Sequence, residues 1–136
     1  MGRHFEELEH TADAAIRVWG CDLAELFAHA AHGLAAQLAE EPDQIEPSIE
    51  RRITLDAYDV ETLLVAWLGE LLYLSERDGV VFVDFEIERV TETHLEAVAR
   101  GGPVQEYRRY VKAVTFNGLK VVQTEGRYEA TIVFDV

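Results

Sequence analysis

The sequence predicts an α+β fold: two principal helices packed on a largely antiparallel β-sheet, as a single layered domain over residues 1–136. Three observations predict it. Two segments carry apolar residues at the helical spacing of about 100° per residue, and six or more others alternate apolar and polar with period two. The two kinds come in mixed order, and consecutive strands are joined by short turns, the pattern of helices laid on an antiparallel sheet.

Along the chain, the first strand read is 14–19, with Ile16 and Val18 on one face. A helix follows Gly20-Cys21, opened by Asp22 with Glu25 three residues on, which reads as a capping box. Leu23, Leu26, Phe27, Ala30, Leu34 and Leu38 form its apolar stripe. Pro42 and Pro47 bracket a short loop. Ile49, Ile53, Leu55 and Ala57 then share one face of a strand, with Glu50, Arg52, Thr54 and Asp56 on the other. Asp59 is the predicted N-cap of the second helix. Its Leu63, Leu64, Trp67, Leu68, Leu71, Leu72 and Leu74 cover about half the cylinder, which predicts deep packing. Residues 80–90 and 93–99 predict a hairpin turning near Thr91-Glu92, and Gly101-Gly102-Pro103 marks a loop. Residues 119–124 and 127–136 predict a second hairpin turning at Glu125-Gly126. The alternation of its last strand (Tyr128, Ala130, Ile132, Phe134 and Val136 against Arg127, Glu129, Thr131, Val133 and Asp135) runs to the final residue. Pairing into a sheet ties that end down, which fixes the expected positions of Asp135 and the Val136 carboxylate.

Composition narrows the function. Apolar residues make up 49% and charged residues 28% of the 136 residues, the balance of a globular protein with a buried core and not of a disordered chain. No apolar run approaches the roughly 18–20 residues of a membrane span. No apolar stretch follows Met1-Gly2-Arg3-His4, so no signal peptide is expected and a reduced, cytoplasmic setting is. Cys21 is the sole cysteine, which excludes an internal disulfide and a thiolate zinc cluster. Twelve basic against twenty-six acidic residues give a net charge of −14. Such a surface repels a phosphate backbone, so protein, metal-ion or small-molecule partners are expected and tight nucleic-acid binding is not. The adjacent pairs Arg51-Arg52 and Arg108-Arg109 are read as parts of solvated strands or loops.

No nucleophile elbow and no phosphate-cradling glycine loop occurs. Cys21 is either a small turn residue or a thiol activated by the helix N-terminus behind it. His29 and His32, at i and i+3, have a metal-sharing spacing but fall off the apolar stripe and are expected to be exposed and unligated. His10-Thr11-Ala12-Asp13 is a compact polar cluster before an apolar strand. Asp13 is either a turn or cap residue, or a carboxylate presented at a sheet end. If the opening and closing strands are neighbours, Asp13, Asp135 and the Val136 terminus converge. Three anionic groups so placed require a hard cation, and all-oxygen ligation suits calcium, magnesium or manganese. Lys112, one of two lysines, stands in the apolar frame Val111-Lys112-Ala113-Val114. It either snorkels from a sheet edge or supplies a point charge near the acidic cluster.

Four stretches, in order and across almost the whole chain, resemble the archease family. His10-Thr11-Ala12-Asp13 with Gly20 and Leu23-Ala24-Glu25-Leu26-Phe27 resembles its opening. Leu63-Leu64, Trp67-Leu68 and Glu70-Leu71-Leu72-Tyr73 resemble its second helix. Lys112-Ala113-Val114-Thr115 with Gly118-Leu119-Lys120-Val121 resembles its third signature, and Val133-Phe134-Asp135-Val136 its C-terminus. The resemblance implies an accessory protein, not an enzyme, for the RtcB-type GTP-dependent RNA ligase that joins tRNA exons. In that role it promotes guanylylation and repeated turnover of the ligase. It also implies a divalent-metal site on Asp13, Asp135 and Val136, calcium in the first place with magnesium or manganese as alternatives, and places the family's signature lysine at Lys112. Phe116-Asn117 departs from the Tyr-His that often follows in the family. Two other readings remain at this level: a metal-dependent small phosphohydrolase using Asp13 and Asp135, and a general chaperone-like acidic binding protein.

Overall fold

The computed structural model describes residues 4–8, 13–115 and 118–136, with Asp13 described by its backbone alone. His10, Thr11, Ala12, Phe116 and Asn117, on which part of the sequence reading rests, lie outside the described residues.

The two helices form where the caps predict. α1 (Leu23–Leu38) starts at Asp22, whose carboxylate accepts from the Glu25 N–H at 2.8 Å. Glu25 reaches back as in a capping box, but to the N–H of Cys21 (2.9 Å), one residue before the cap. α2 (Val60–Asp78) starts at Asp59, which accepts from the Thr62 N–H at 2.8 Å. It stops at Gly79, whose φ of 67° is the left-handed conformation that ends a helix at low cost only in glycine. The Trp67 ring is fully buried, and its Nε1 donates to the Phe27 carbonyl at 2.9 Å, fastening α2 to α1.

The strands resolve into two sheets, both wholly antiparallel, where the sequence reading has one. The larger holds β1 (Phe5–Leu8), β2 (Asp13–Gly20), β6 (Ala113–Thr115), β7 (Val122–Thr124) and β8 (Arg127–Asp135), in the order β1-β2-β8-β6 with β7 also on β8. The smaller holds β3 (Ile49–Asp56), β4 (Val80–Val90) and β5 (His94–Pro103), in the order β3-β5-β4. α1 packs on β2 of one sheet and β4 of the other, and α2 touches β6 and all three strands of the smaller sheet. The helices thus fill the space between two sheets. The core is built from their facing sides: Ile16, Val18, Ile132 and Phe134 from one, and Ile53, Leu95, Ala97 and Ala99 from the other.

Gly101-Gly102-Pro103 is a correction. It is not a loop but the end of β5, paired to Phe82, Val81 and Val80. The glycines serve close approach: a Cβ on Gly101 would overlap the Val81 carbonyl oxygen and lie 2.7 Å from Phe82 Cα, and one on Gly102 would overlap the Glu46 carbonyl oxygen. Two short strands, β1 and β6, go unread in the sequence. Among the described residues no helix is long and apolar enough to cross a membrane.

Candidate functional site

β8 is the central strand of the larger sheet at the end where the sequence reading puts a site. It pairs on one side with β2, in a register that sets Asp13 opposite Asp135 and Ala14 opposite Phe134. On the other side β6 pairs with it, Ala113 opposite Asp135. Opposite residues of an antiparallel pair have Cα atoms about 5 Å apart, so the start of β2, the end of β8 and the start of β6 meet along one edge. Even-numbered residues of β8 from Ala130 to Phe134 are buried against the helices, while Asp135 is exposed. Strand alternation carries it to the outer side of the sheet.

Lys112 joins this edge through its backbone. Its N–H donates to the Asp135 carbonyl oxygen at 2.7 Å, one residue out of step with the Ala113–Asp135 register. This bond fastens the residue that precedes β6 to the end of β8. The Lys112 side chain is exposed, and so is Val136, at 37%. Among the described residues the side chains of Asp135 and Lys112 have no hydrogen-bond or ion-pair partner. The donor set available at this edge is all oxygen: the Asp135 carboxylate, the main-chain oxygens of Val136 and residue 13 across the register. Hard divalent ions take such donors, so the chemistry fits the implied metal. Among the described residues no three His, Cys, Asp or Glu side chains gather into a ligand group; the Asp13 carboxylate is outside that description.

The other candidates fall elsewhere. Cys21 is exposed, and the Glu25 carboxylate beside it raises its pKa, the reverse of an activated thiol. His29 corrects the expectation of a free, exposed ring. It is half-buried, its Nδ1 lies 2.7 Å from the Trp19 carbonyl oxygen, and it stacks on His4 with ring centroids 4.3 Å apart. His32 keeps part of its surface in water, but its ring lies edge-on to Phe85 at 5.0 Å, and the desolvation on that side, then His29, lowers its pKa. Arg108 and Arg109, read together as a solvated pair, part company. Arg108 donates to the Ala36 carbonyl at 2.8 Å and pairs with Glu7 at 3.3 Å, while Arg109 lines a cavity. Nothing local in the sequence separates them, because Arg108's partners lie about 70 and 100 residues away in the chain.

Comparison with known proteins follows the whole length of the chain. The profile of the Archease protein family (MTH1598/TM1083) matches residues 5–136. The archease of Methanosarcina mazei is 35% identical over 144 residues, covering 100% of this chain and 98% of its own. That of Methanopyrus kandleri is 38% identical over 139 residues, covering 97% and 99%. The solution structure of Methanobacterium thermoautotrophicum protein 1598 has a TM-score of 0.83 at 30% identity, with 99% of this chain and 100% of that one covered. A Thermotoga maritima crystal structure, described as an archease and possible chaperone, has a TM-score of 0.66 at 21% identity over 96% of each chain, a likeness of fold.

Proposed function

This chain belongs to the archease family, and from that premise we propose that it is an accessory protein of an RtcB-type GTP-dependent RNA ligase. In this reading it promotes guanylylation of the ligase and its repeated turnover in joining RNA ends, and it carries out no catalysis of its own. The observation that supports the reading most is the strand register that sets Asp13 opposite Asp135, with the Lys112 N–H on the Asp135 carbonyl. Asp13, Asp135 and the main-chain oxygens of Val136 would hold a divalent ion, calcium in the first place and magnesium or manganese otherwise. Bound there, the ion supplies a Lewis-acidic centre for phosphate oxygens.

The chain's own residues do the rest. Asp135 is held on both flanks by β2 and β6, so its carboxylate is presented from a fixed backbone. The exposed Lys112 side chain, on a backbone fastened to Asp135, offers a mobile point charge to a phosphate oxygen. The net charge of −14 discourages competition for RNA and attracts the basic nucleotide cleft of a ligase, raising the encounter rate.

The test is ligation of a 3′-phosphate RNA, and guanylylation of the ligase, at limiting ligase with and without this protein. Wild type is expected to convert the ligase to multiple turnover. Asp135→Ala and Lys112→Ala are expected to lose about ten-fold or more of the stimulation with the thermal midpoint retained. A folded Asp135→Ala variant that stimulates like wild type overturns the reading. Suppression of aggregation of unrelated clients, with no effect on the ligase, would instead establish the broader chaperone role for which the Thermotoga relative is described.

A further inference from the structure

We propose that the cavity beside residues 107–112 is a docking socket for an extended segment of a partner protein, which seats an apolar side chain inside and offers a carboxylate to Arg109. The socket is argued from its own lining; that the partner is the ligase rests on the reading above.

Nine residues without a strand of their own, 104–112, connect β5 to β6. They are held at four places, first by the Val104 N–H, which donates to the Gly79 carbonyl at 3.3 Å. The Tyr107 hydroxyl donates to the Ser75 carbonyl at 2.8 Å. The Arg108 N–H donates to the Leu38 carbonyl at 2.8 Å, at the C-terminal end of α1, with its guanidinium on Ala36 and Glu7. Val111 is buried, and the next N–H, that of Lys112, is on Asp135. Between these fastenings Arg109 and Tyr110 are left over, and Tyr110 is 66% exposed.

Beneath them is a cavity of about 330 Å³, at the small end of ligand-site volumes. Leu38, Leu72 and Val111 give it apolar walls. Two charged residues also line it, Arg109 and Glu76, and neither is bonded to the other or to any other group among the described residues. For an arginine that is unusual in this chain. Of the nine described arginines, seven (Arg17, Arg51, Arg52, Arg77, Arg100, Arg108 and Arg127) are in ion pairs, leaving Arg89 and Arg109. Arg109 is half-buried, so its charge is partly withdrawn from water without compensation.

The occupant follows from that lining. An apolar wall with one free cation and one free anion fits a peptide, which brings an apolar side chain, a carboxylate for Arg109 and backbone N–H donors for Glu76. A fatty acid would satisfy the arginine but bring no donor for the exposed Glu76 carboxylate. An exposed Tyr beside a half-buried Arg at a cavity mouth presents the residue types that concentrate interface energy. On a surface of net charge −14, Arg109 also marks a place where a partner's carboxylate meets attraction. Because Val111 lines the socket and Lys112 follows it, an occupied socket sets the partner next to the Asp135 edge.

The test has two arms. In the first, the full-length chain labelled with 15N is titrated with the blocked peptides Ac-Phe-Asp-NH2 and Ac-Phe-Asn-NH2. Saturable shifts are expected at the amides of Leu38, Leu72 and 107–111, with the Asn peptide several-fold weaker and the difference erased in Arg109→Glu. Absence of saturable shifts there, or equal binding of the two peptides, overturns the proposal. In the second, binding to the ligase is measured for wild type, Arg109→Glu, Tyr110→Ala and Asp135→Ala. The socket variants are expected to bind about ten-fold more weakly and to recover full stimulation at saturating protein. Asp135→Ala is expected to bind normally and fail to stimulate even at saturation. Unchanged ligase affinity in both socket variants overturns the socket as the ligase contact. A wild-type chain that does not bind ligase at all fails the ligase reading, and the peptide arm then decides the socket alone.

Discussion

The outer face of β3-β5-β4 and the chain-end edge of the larger sheet are both acidic, and they hold their charges in opposite ways. On the smaller sheet the charges are cross-paired. Arg100 takes Glu50 at 2.9 Å, Asp84 at 3.1 Å and Glu86 at 2.9 Å, one carboxylate from each neighbouring strand and a third along β4. Those bonds push its pKa above an already high value. Arg52 pairs with Glu88, and His94 sits between Asp56 and Glu96, 2.7 Å from each. At the chain-end edge Asp135 and Lys112 lie within one residue of each other in register, and their side chains make no bond among the described residues. Acidity alone therefore identifies nothing. A face whose charges are already mutually satisfied is a structural surface, and an edge whose charges are left free is available to something else.

That contrast is broken most directly by exchanging the roles of Asp135 and Arg100. Asp135→Asn is expected to remove about ten-fold or more of the ligase stimulation while leaving the thermal midpoint within a degree or raising it, since it relieves an uncompensated anion. Comparable loss of stability would place Asp135 among the structural charges and dissolve the distinction. The next effect is on stability alone. At Gly101 a side chain would run into the Val81 carbonyl and Phe82 Cα, both backbone. Gly101→Val should therefore cost about 3 kcal/mol or more, the upper end of overpacking penalties, measured by urea unfolding. A tolerated Gly101→Val would mean that β4 and β5 are not so closely apposed.

Arg100→Leu sharpens the same comparison at smaller scale. It leaves Glu50, Asp84 and Glu86 converging on a neutral residue. A fall of a few degrees in thermal midpoint is expected, partly restored by salt because the carboxylates are exposed and screened. Stimulation of the ligase should be untouched. A loss of stimulation with the fold intact would turn this face into part of the functional surface.

How much of this was legible beforehand depends on whether the signal is local. Both helices were, because Asp22 and Asp59 cap them through bonds three residues long. The long strands were, because alternation shows over eight or more residues. β1 was not: Phe-Glu-Glu-Leu has too few positions to alternate, and its one buried residue is Phe5. β6, three residues, fails for the same reason. Gly101-Gly102 misled because a glycine that admits a close neighbour reads the same as one that makes a turn. The division into two sheets is a matter of pairing between distant segments, which periodicity does not encode. Within the site, Asp13 and Asp135 were legible only as a conditional, that the first and last strands be neighbours, and the register meets it. Arg109 was not legible, since its distinction is that Arg108 has partners and Arg109 has none among the described residues.

The smallest effects test the comparison through pH. His94 is bonded to Asp56 and then Glu96, which raise its pKa above the ordinary 6.5. The folded state therefore holds that proton more tightly than the unfolded chain. The stabilisation is fully present below 6.5 and is lost as pH rises through the folded value. His32 runs the other way. Desolvation beside Phe85, then His29, lower its pKa, so its contribution is intact above 6.5 and is lost as pH falls from there to the lowered folded value. Imidazole titration by NMR should give midpoints on opposite sides of 6.5 for the two rings. His94→Gln should flatten the loss of stability on the alkaline side without changing the acid side. If the alkaline slope survives in His94→Gln, the bonds from Asp56 and Glu96 do not hold the ring in its charged form, and the smaller sheet is less completely paired than its geometry indicates.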